Sequence, residues 1–275
     1  MNRNQLAPVA GVVLSLLTLG CAGLVKSQST PVLIEFKGKP GTVSETRYYS
    51  GSRTITYAQG QVVRDRIEGV DFSVRTTVQG YDPSSKILKL NVSTVRKDGN
   101  VDLHDLAFPE LNEKIDFVVN GVTGVVMKAG AYPPHSIFFV PSLPMPKGPV
   151  EVGDTWTLDH TWYSASDQIP LRLSLVGIFK DIVNCEGGKR CADLEISGSV
   201  ELMHAPTTPN SSFISRVWGR VLFHLERGDV IRSDMRSREE MSVPGDRVVI
   251  TSCVISETKP KFNYAENFEC QAPAP

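Results

Sequence analysis

An all-β body, whether an antiparallel sandwich, a barrel or a curved half-barrel sheet, is the fold class this sequence predicts. Three observations carry that expectation. No segment keeps a helical period; runs that alternate apolar and polar residues recur about every ten residues; and turn chemistry such as Tyr81-Asp82-Pro83-Ser84-Ser85 and Glu226-Arg227-Gly228-Asp229 separates them. The chain has 275 residues, 41% hydrophobic and 21% charged, which is enough apolar material for a sizeable core. Its formal net charge of -1 argues against a phosphate-tracking surface, as do Arg64, Arg66, Arg232, Arg236 and Arg238, which are interleaved with acids. No nucleic-acid partner is expected.

The N-terminus reads as an export signal. Arg3 supplies a positive start, Val9 to Leu19 a short apolar segment, and Gly20-Cys21-Ala22-Gly23 small residues for cleavage. The apolar run is too short to span a bilayer. Leu17-Thr18-Leu19-Gly20-Cys21 resembles a bacterial lipoprotein signal. In such signals a small residue precedes the cysteine that receives lipid, although Leu stands here one position later than usual. That resemblance implies lipidation at Cys21, an anchor in the outer membrane facing the periplasm, and a membrane partner through the lipid. Ordinary secretory cleavage after Ala22 is the rival reading. The expected organisation is a signal peptide at 1–20, a lipidated tether at 21–30, a first β half at 31–145 and a second at 146–275 with a disulfide-pinned tail.

Taken in order, Val43 to Tyr49 and Ile55 to Tyr57 read as strands around Ser50-Gly51-Ser52. Val70, Phe72, Val74 and Val78 alternate with polar residues, as do Leu88, Leu90 and Val92, and the turn between them makes a hairpin. Pro109 breaks any helix between Asp102 and Lys114. Ile115–Val119 and Val122–Met127 flank Asn120-Gly121, which suits a tight primed turn. Pro144, Pro146 and Pro149 cannot occupy a central strand, so this stretch is a linker. Beyond it Gly153-Asp154 reads as a turn, and Trp156, Leu158, His160 and Trp162 share one face of a new strand. Leu194, Ile196, Val200 and Leu202 oppose Asp193, Glu195, Ser197, Ser199 and Glu201. Val217 to Leu225 and then Val230-Ile231 form another hairpin, and Val248 to Ile255 the last strand. Two similar halves are compatible with this pattern.

Setting Cys21 aside leaves Cys185, Cys191, Cys253 and Cys270, an even set suited to an oxidising compartment. A turn-rich loop separates Cys185 from Cys191, so a hairpin brings them within bridging distance, and Cys253 then pairs with Cys270. Neither pair has the spacing of a zinc knuckle.

No catalytic residue, metal site or cofactor is expected. There is no Gly-x-Ser-x-Gly elbow, and His104, His135, His160, His204 and His224 lack metal-ligand spacing. Asp102-Leu103-His104-Asp105 is the best local acid/base cluster, but it needs a nucleophile from elsewhere. Trp156, Trp162 and Trp218 are the candidate ligand-facing aromatics, with core filling as their other reading.

The segment Val150-Glu151-Val152-Gly153-Asp154-Thr155-Trp156, placed after the proline-rich linker, resembles an uncharacterised family of bacterial lipoproteins that carries Val-x-Val-Gly-Asp-x-Trp mid-chain. More distantly, the strand layout is similar to the half-barrel lipoprotein and lipid carriers of the periplasm. The expectation is a non-catalytic binding or scaffold protein at the cell envelope, with an envelope protein as partner. A carrier of a lipid or other apolar ligand is the alternative, and a hydrolase ranks below both.

Overall fold

The structure, a computed structural model, describes residues 30–164, 169–203 and 210–270. The signal peptide, Cys21 and all of the tether but residue 30 lie outside them, as does His204. Eleven strands run in chain order: β1 Val43–Ala58, β2 Gln61–Asp82, β3 Ile87–Asp98, β4 Lys114–Asn120, β5 Val126–Ala129, β6 Thr155–Tyr163, β7 Pro170–Cys185, β8 Lys189–Leu202, β9 Ser212–His224, β10 Asp229–Val243 and β11 Asp246–Lys259. All belong to one antiparallel sheet of order β5-β4-β3-β2-β1-β11-β10-β9-β8-β7-β6. Each half is an up-and-down meander. Pairing of β1 with β11, from Glu45 opposite Lys259 to Ala58 opposite Asp246, joins the two halves into one sheet.

Two hydrogen bonds reveal how far this sheet curls. The Phe36 amide donates to Gly121 O at 2.7 Å and the adjacent Lys37 amide to Gly228 O at 3.2 Å. Gly121 directly follows β4 and Gly228 directly precedes β10, five inter-strand steps apart. In a flat sheet those steps would span about 24 Å at about 4.8 Å each. The sheet therefore wraps around residues 30–42. Side chains make that approach impossible at both contact points: a Cβ on Gly121 would lie 2.2 Å from Phe36 O, and one on Gly228, whose φ is +71°, 2.4 Å from Lys37 Cγ. The edge strands β5 and β6 do not pair, so the sheet is a curved half-barrel rather than a closed barrel.

Residues 130–154 cross that seam from β5 to β6. The Tyr163 amide at the end of β6 donates to His135 O, and the two rings meet edge to face at 5.3 Å. Phe138 and Phe139 pack with Ile115 and Ala129. Leu143, Met145 and Val150 enter the main core with Ile34, Phe179, Leu194, Ile196, Val221 and Phe223. Val32 and Val150 form an isolated bridge. None of Pro144, Pro146 and Pro149 lies in a strand, as their missing amide donors require. The Val150–Trp156 motif is explained by this junction. Val150 and Val152 are core, Gly153 turns at φ +95°, the Asp154 carboxylate accepts from the Glu151 amide at 2.8 Å, and Trp156 Nε1 donates to Pro144 O at 2.8 Å.

Two breaks differ from expectation. Ser50-Gly51-Ser52 does not separate two strands but lies inside the unbroken β1, paired with β2 and β11 on either side. Asn120-Gly121 does not close a two-residue hairpin; Val119 opposes Val126, and the loop runs longer. The Asn120 side chain accepts from the amides of Val122 and Thr123, an Asx arrangement that outcompetes the primed turn, and Gly124 rather than Gly121 takes the positive φ.

Candidate functional site

The curled sheet has two unlike ends. At one, residues 30–42 and 143–154 cover the interior. Residues 99–113 cover the part lined by β1 to β3, where Leu103 and Phe108 sit on Val70, Phe72 and Tyr48. At the other end, β1, β2 and β6 to β11 run on beyond these covers, and their inward residues form rows whose members are fixed by strand register.

The outermost of the continuous rows is apolar across six strands. Trp162 stands opposite Leu171, and Leu171 opposite Leu202. The β8–β9 ladder ends at Gly198 opposite Val217; the same register carried four residues further would set Leu202 against Phe213, and the Val200 amide donates to Ser215 Oγ at 3.3 Å on the way. Phe213 opposes Met241, Met241 opposes Val248, Val248 opposes Thr56, and Thr56 opposes Arg64. None of the six apolar side chains joins a core cluster, and Met241 is 50% exposed. The row forms an apolar belt inside the mouth.

The row beneath is mixed: His160, Leu173, Val200, Ser215, Glu239, Ile250, Thr54 and Arg66. Burial pushes the Glu239 carboxyl above its ordinary value, against a smaller pull from the Ser237 hydroxyl. Burial likewise lowers His160, whose Nε2 finds no hydrogen-bond partner among the described residues. Below that row the Ser237 and Ser252 hydroxyls meet at 2.6 Å.

The three tryptophans fall in three environments. Trp156 packs into the core against Gly177, where an added Cβ would lie 2.7 Å from Nε1. Trp162 is in the belt. Trp218 is on the outer face, 38% exposed, lining a shallow cleft of about 470 Å³ with Arg220, Arg232 and Asp234. Register shows why: Trp218 lies one residue from inward-facing Val217, so alternation turns it outward.

Both expected disulfides are present, Cys185–Cys191 and Cys253–Cys270. The carboxylate row of β8 faces outward, with Asp193 paired to Arg220 and Glu195 to Lys180. The Asp102–Asp105 cluster gains partners that the sequence did not suggest. His104 Nε2 lies 2.6 Å from Glu113, while the Tyr132 hydroxyl donates to Glu113 at 3.0 Å and lies 3.0 Å from His104 Nε2. Burial alone would raise the Glu113 carboxyl, but His104, the Glu110 amide and Tyr132 bring it below its usual range; burial and Glu113 push Tyr132 up to about 12. A carboxylate held ionised and a phenol held protonated make a latch between residues 99–113 and 130–154. Among the described residues no serine, threonine or cysteine is bonded to it. Among the described residues no three His, Cys, Asp or Glu side chains converge as metal ligands.

No protein-family model matches the sequence, and no curated protein matches it. Among solved structures, a DUF1329 family protein from Desulfovibrio piger is 11% identical over 75% of this chain and 83% of its own, with a TM-score of 0.13. That value lies below the level at which two backbones share a fold.

Proposed function

We propose that this chain is an exported, non-catalytic binding protein of the bacterial envelope, lipidated at Cys21, and that the mouth of its curled sheet receives an apolar ligand. The observation that supports this most is the belt of Trp162, Leu171, Leu202, Phe213, Met241 and Val248. It continues the apolar interior past residues 30–42, 99–113 and 143–154, the described segments that fill that interior. Soluble chains bury such rows or use them, because each exposed apolar side chain forgoes about 1.5 to 3 kcal/mol of transfer free energy. Two disulfides support export to an oxidising space. The outer cleft at Trp218 favours a second reading, a platform for an envelope protein, since an exposed tryptophan beside arginines is a common centre of protein contacts.

The test begins with the full chain carrying Cys21→Ser, expected in the aqueous phase of a detergent partition where the unaltered chain enters the detergent phase. Native mass spectrometry of that variant, recovered without detergent, should show an apolar adduct. Leu202→Asp and Phe213→Asp, each folded by circular dichroism, should lose it. An adduct-free protein, or one whose adduct survives both substitutions, contradicts the reading.

A further inference from the structure

Resting on that reading, we infer that the belt holds a single-chain amphiphile with an anionic head, and that Arg64 receives the head. The belt is not symmetrical. From Trp162 to Val248 it is apolar; it then passes to the Thr56 hydroxyl and ends at Arg64, all in one register row. The next row is mixed over β6 to β10 but ends in the same way, at Thr54 and Arg66. An interior graded from hydrocarbon to hydroxyl to cation matches a molecule graded the same way.

Charge decides the head. Arg66 pairs with Glu68 on its own strand, and Arg53 with Asp65 across the outer face. Arg64 has no carboxylate within ion-pair distance among the described residues, so its guanidinium is available to an incoming oxyanion, which it can take bidentately. Glu239, the inward carboxyl in the row beneath the belt, has its ionised form disfavoured by burial, which limits its repulsion of an anion lying above it. Thr56 and Thr54 carry hydroxyls that have no hydrogen-bond partner among the described residues and can donate to the same head. Length agrees as well. Phe213 and Arg64 are four inter-strand steps apart, about 19 Å along the sheet, and a twelve-carbon chain spans about 15 Å, so tail and head can be seated together.

The experiment titrates the full-length Cys21→Ser chain with dodecyl phosphate, dodecyl maltoside and dodecyltrimethylammonium below their micelle concentrations, following tryptophan fluorescence and heat. Inorganic phosphate and zwitterionic vesicles serve as further arms. Dodecyl phosphate is expected to bind about fivefold more tightly than the maltoside, the size of one partly exposed charge-assisted contact. Arg64→Gln should abolish that preference while leaving maltoside affinity unchanged, and Arg64→Lys should restore part of it. Leu202→Asp should weaken all three amphiphiles. Equal affinity for the three heads, or a preference that survives Arg64→Gln, would overturn the head assignment while leaving the apolar belt standing. Inorganic phosphate binding as tightly as dodecyl phosphate would remove the tail from the argument. No binding of any amphiphile would sink the belt reading itself, and binding to vesicles alone would assign the mouth to a bilayer surface instead.

Discussion

Glu239 projects into the interior between Ser215 and Ile250, where burial raises its carboxyl above the value of 4.5 it has when unfolded. The native state thus holds this proton more tightly than the unfolded chain does. Stability from this group is fully present below 4.5 and is lost as pH rises through the folded value. Glu110 works in the opposite sense. Burial alone would raise it, but Lys97 and the amides of Leu103 and Leu111 bring it down to about 2. Its contribution is present above 4.5 and lost only as pH falls towards about 2. Between pH 5 and 7.5 Glu110 is ionised in both states, so Glu239 can be read without it. Urea midpoints measured at those two pH values should fall more for the unaltered protein than for Glu239→Gln, which should also be the more stable at pH 7.5. Parallel falls in the two proteins would show that Glu239 is solvated rather than desolvated. Because Glu239 lies directly under the belt, a bound apolar chain would exclude more water and raise it further.

At the scale of elements, the C-terminal segment after β11 is held by more than its disulfide. Arg47, 4% exposed, donates to Asp71 at 3.1 and 2.5 Å, and Arg96 reaches the same carboxylate at 2.9 Å. The segment caps this group. Glu266 O accepts from Arg47, Phe268 lies under its guanidinium at 4.8 Å, Tyr264 under Arg96 at 4.5 Å, and the Tyr264 hydroxyl donates to Glu45 at 2.5 Å. The Cys253–Cys270 bond closes a loop of 17 residues, so Cys270→Ser should cost about 2 to 3 kcal/mol in the chain-entropy account. Trypsin cleavage at Lys261 should nevertheless stay slow in that variant and become fast only when Tyr264→Ala is added. Fast cleavage in Cys270→Ser alone would mean that the bond, not the ring contacts, holds the segment. The pairing itself was legible in the sequence, because Cys185 and Cys191 flank a turn too short for other partners. Strands with one solvated face, such as β6 and β8, were legible too, since alternation reports burial directly. The belt was not. Its members lie on strands far apart in the chain, and that Phe213 meets Met241, or Val248 meets Thr56, depends on register and on β1 pairing with β11, which no local pattern encodes. Trp156, Trp162 and Trp218 look alike in sequence for the same reason: which face each occupies is decided by neighbours.

For the whole molecule, the proline-rich boundary near residue 145 divides the chain but not the fold. Val32, Ile34 and Phe36, from the first half, are packed into a core whose other members come mostly from the second. Phe138 and Phe139, just before the boundary, fill the cluster on β4 and β5, while the same crossing segment delivers Leu143, Met145 and Val150 to the main core. The β1–β11 ladder spans fourteen residue pairs from Glu45–Lys259 to Ala58–Asp246, so cutting the chain at 145 leaves two long unpaired edges in place of one continuous sheet. Neither half can bury its share of the interior alone. The disulfide-bonded protein should therefore unfold in a single transition, with the calorimetric and van't Hoff enthalpies equal and with tryptophan fluorescence and far-ultraviolet circular dichroism tracing one curve. Residues 146–275 produced alone should show no cooperative transition and should aggregate through the exposed β11 edge, whereas adding residues 31–145 in trans should restore the transition. Two resolved transitions in the intact chain, or a cooperative melt from the isolated second half, would show that the shared core and the β1–β11 ladder contribute less than the contacts within each meander.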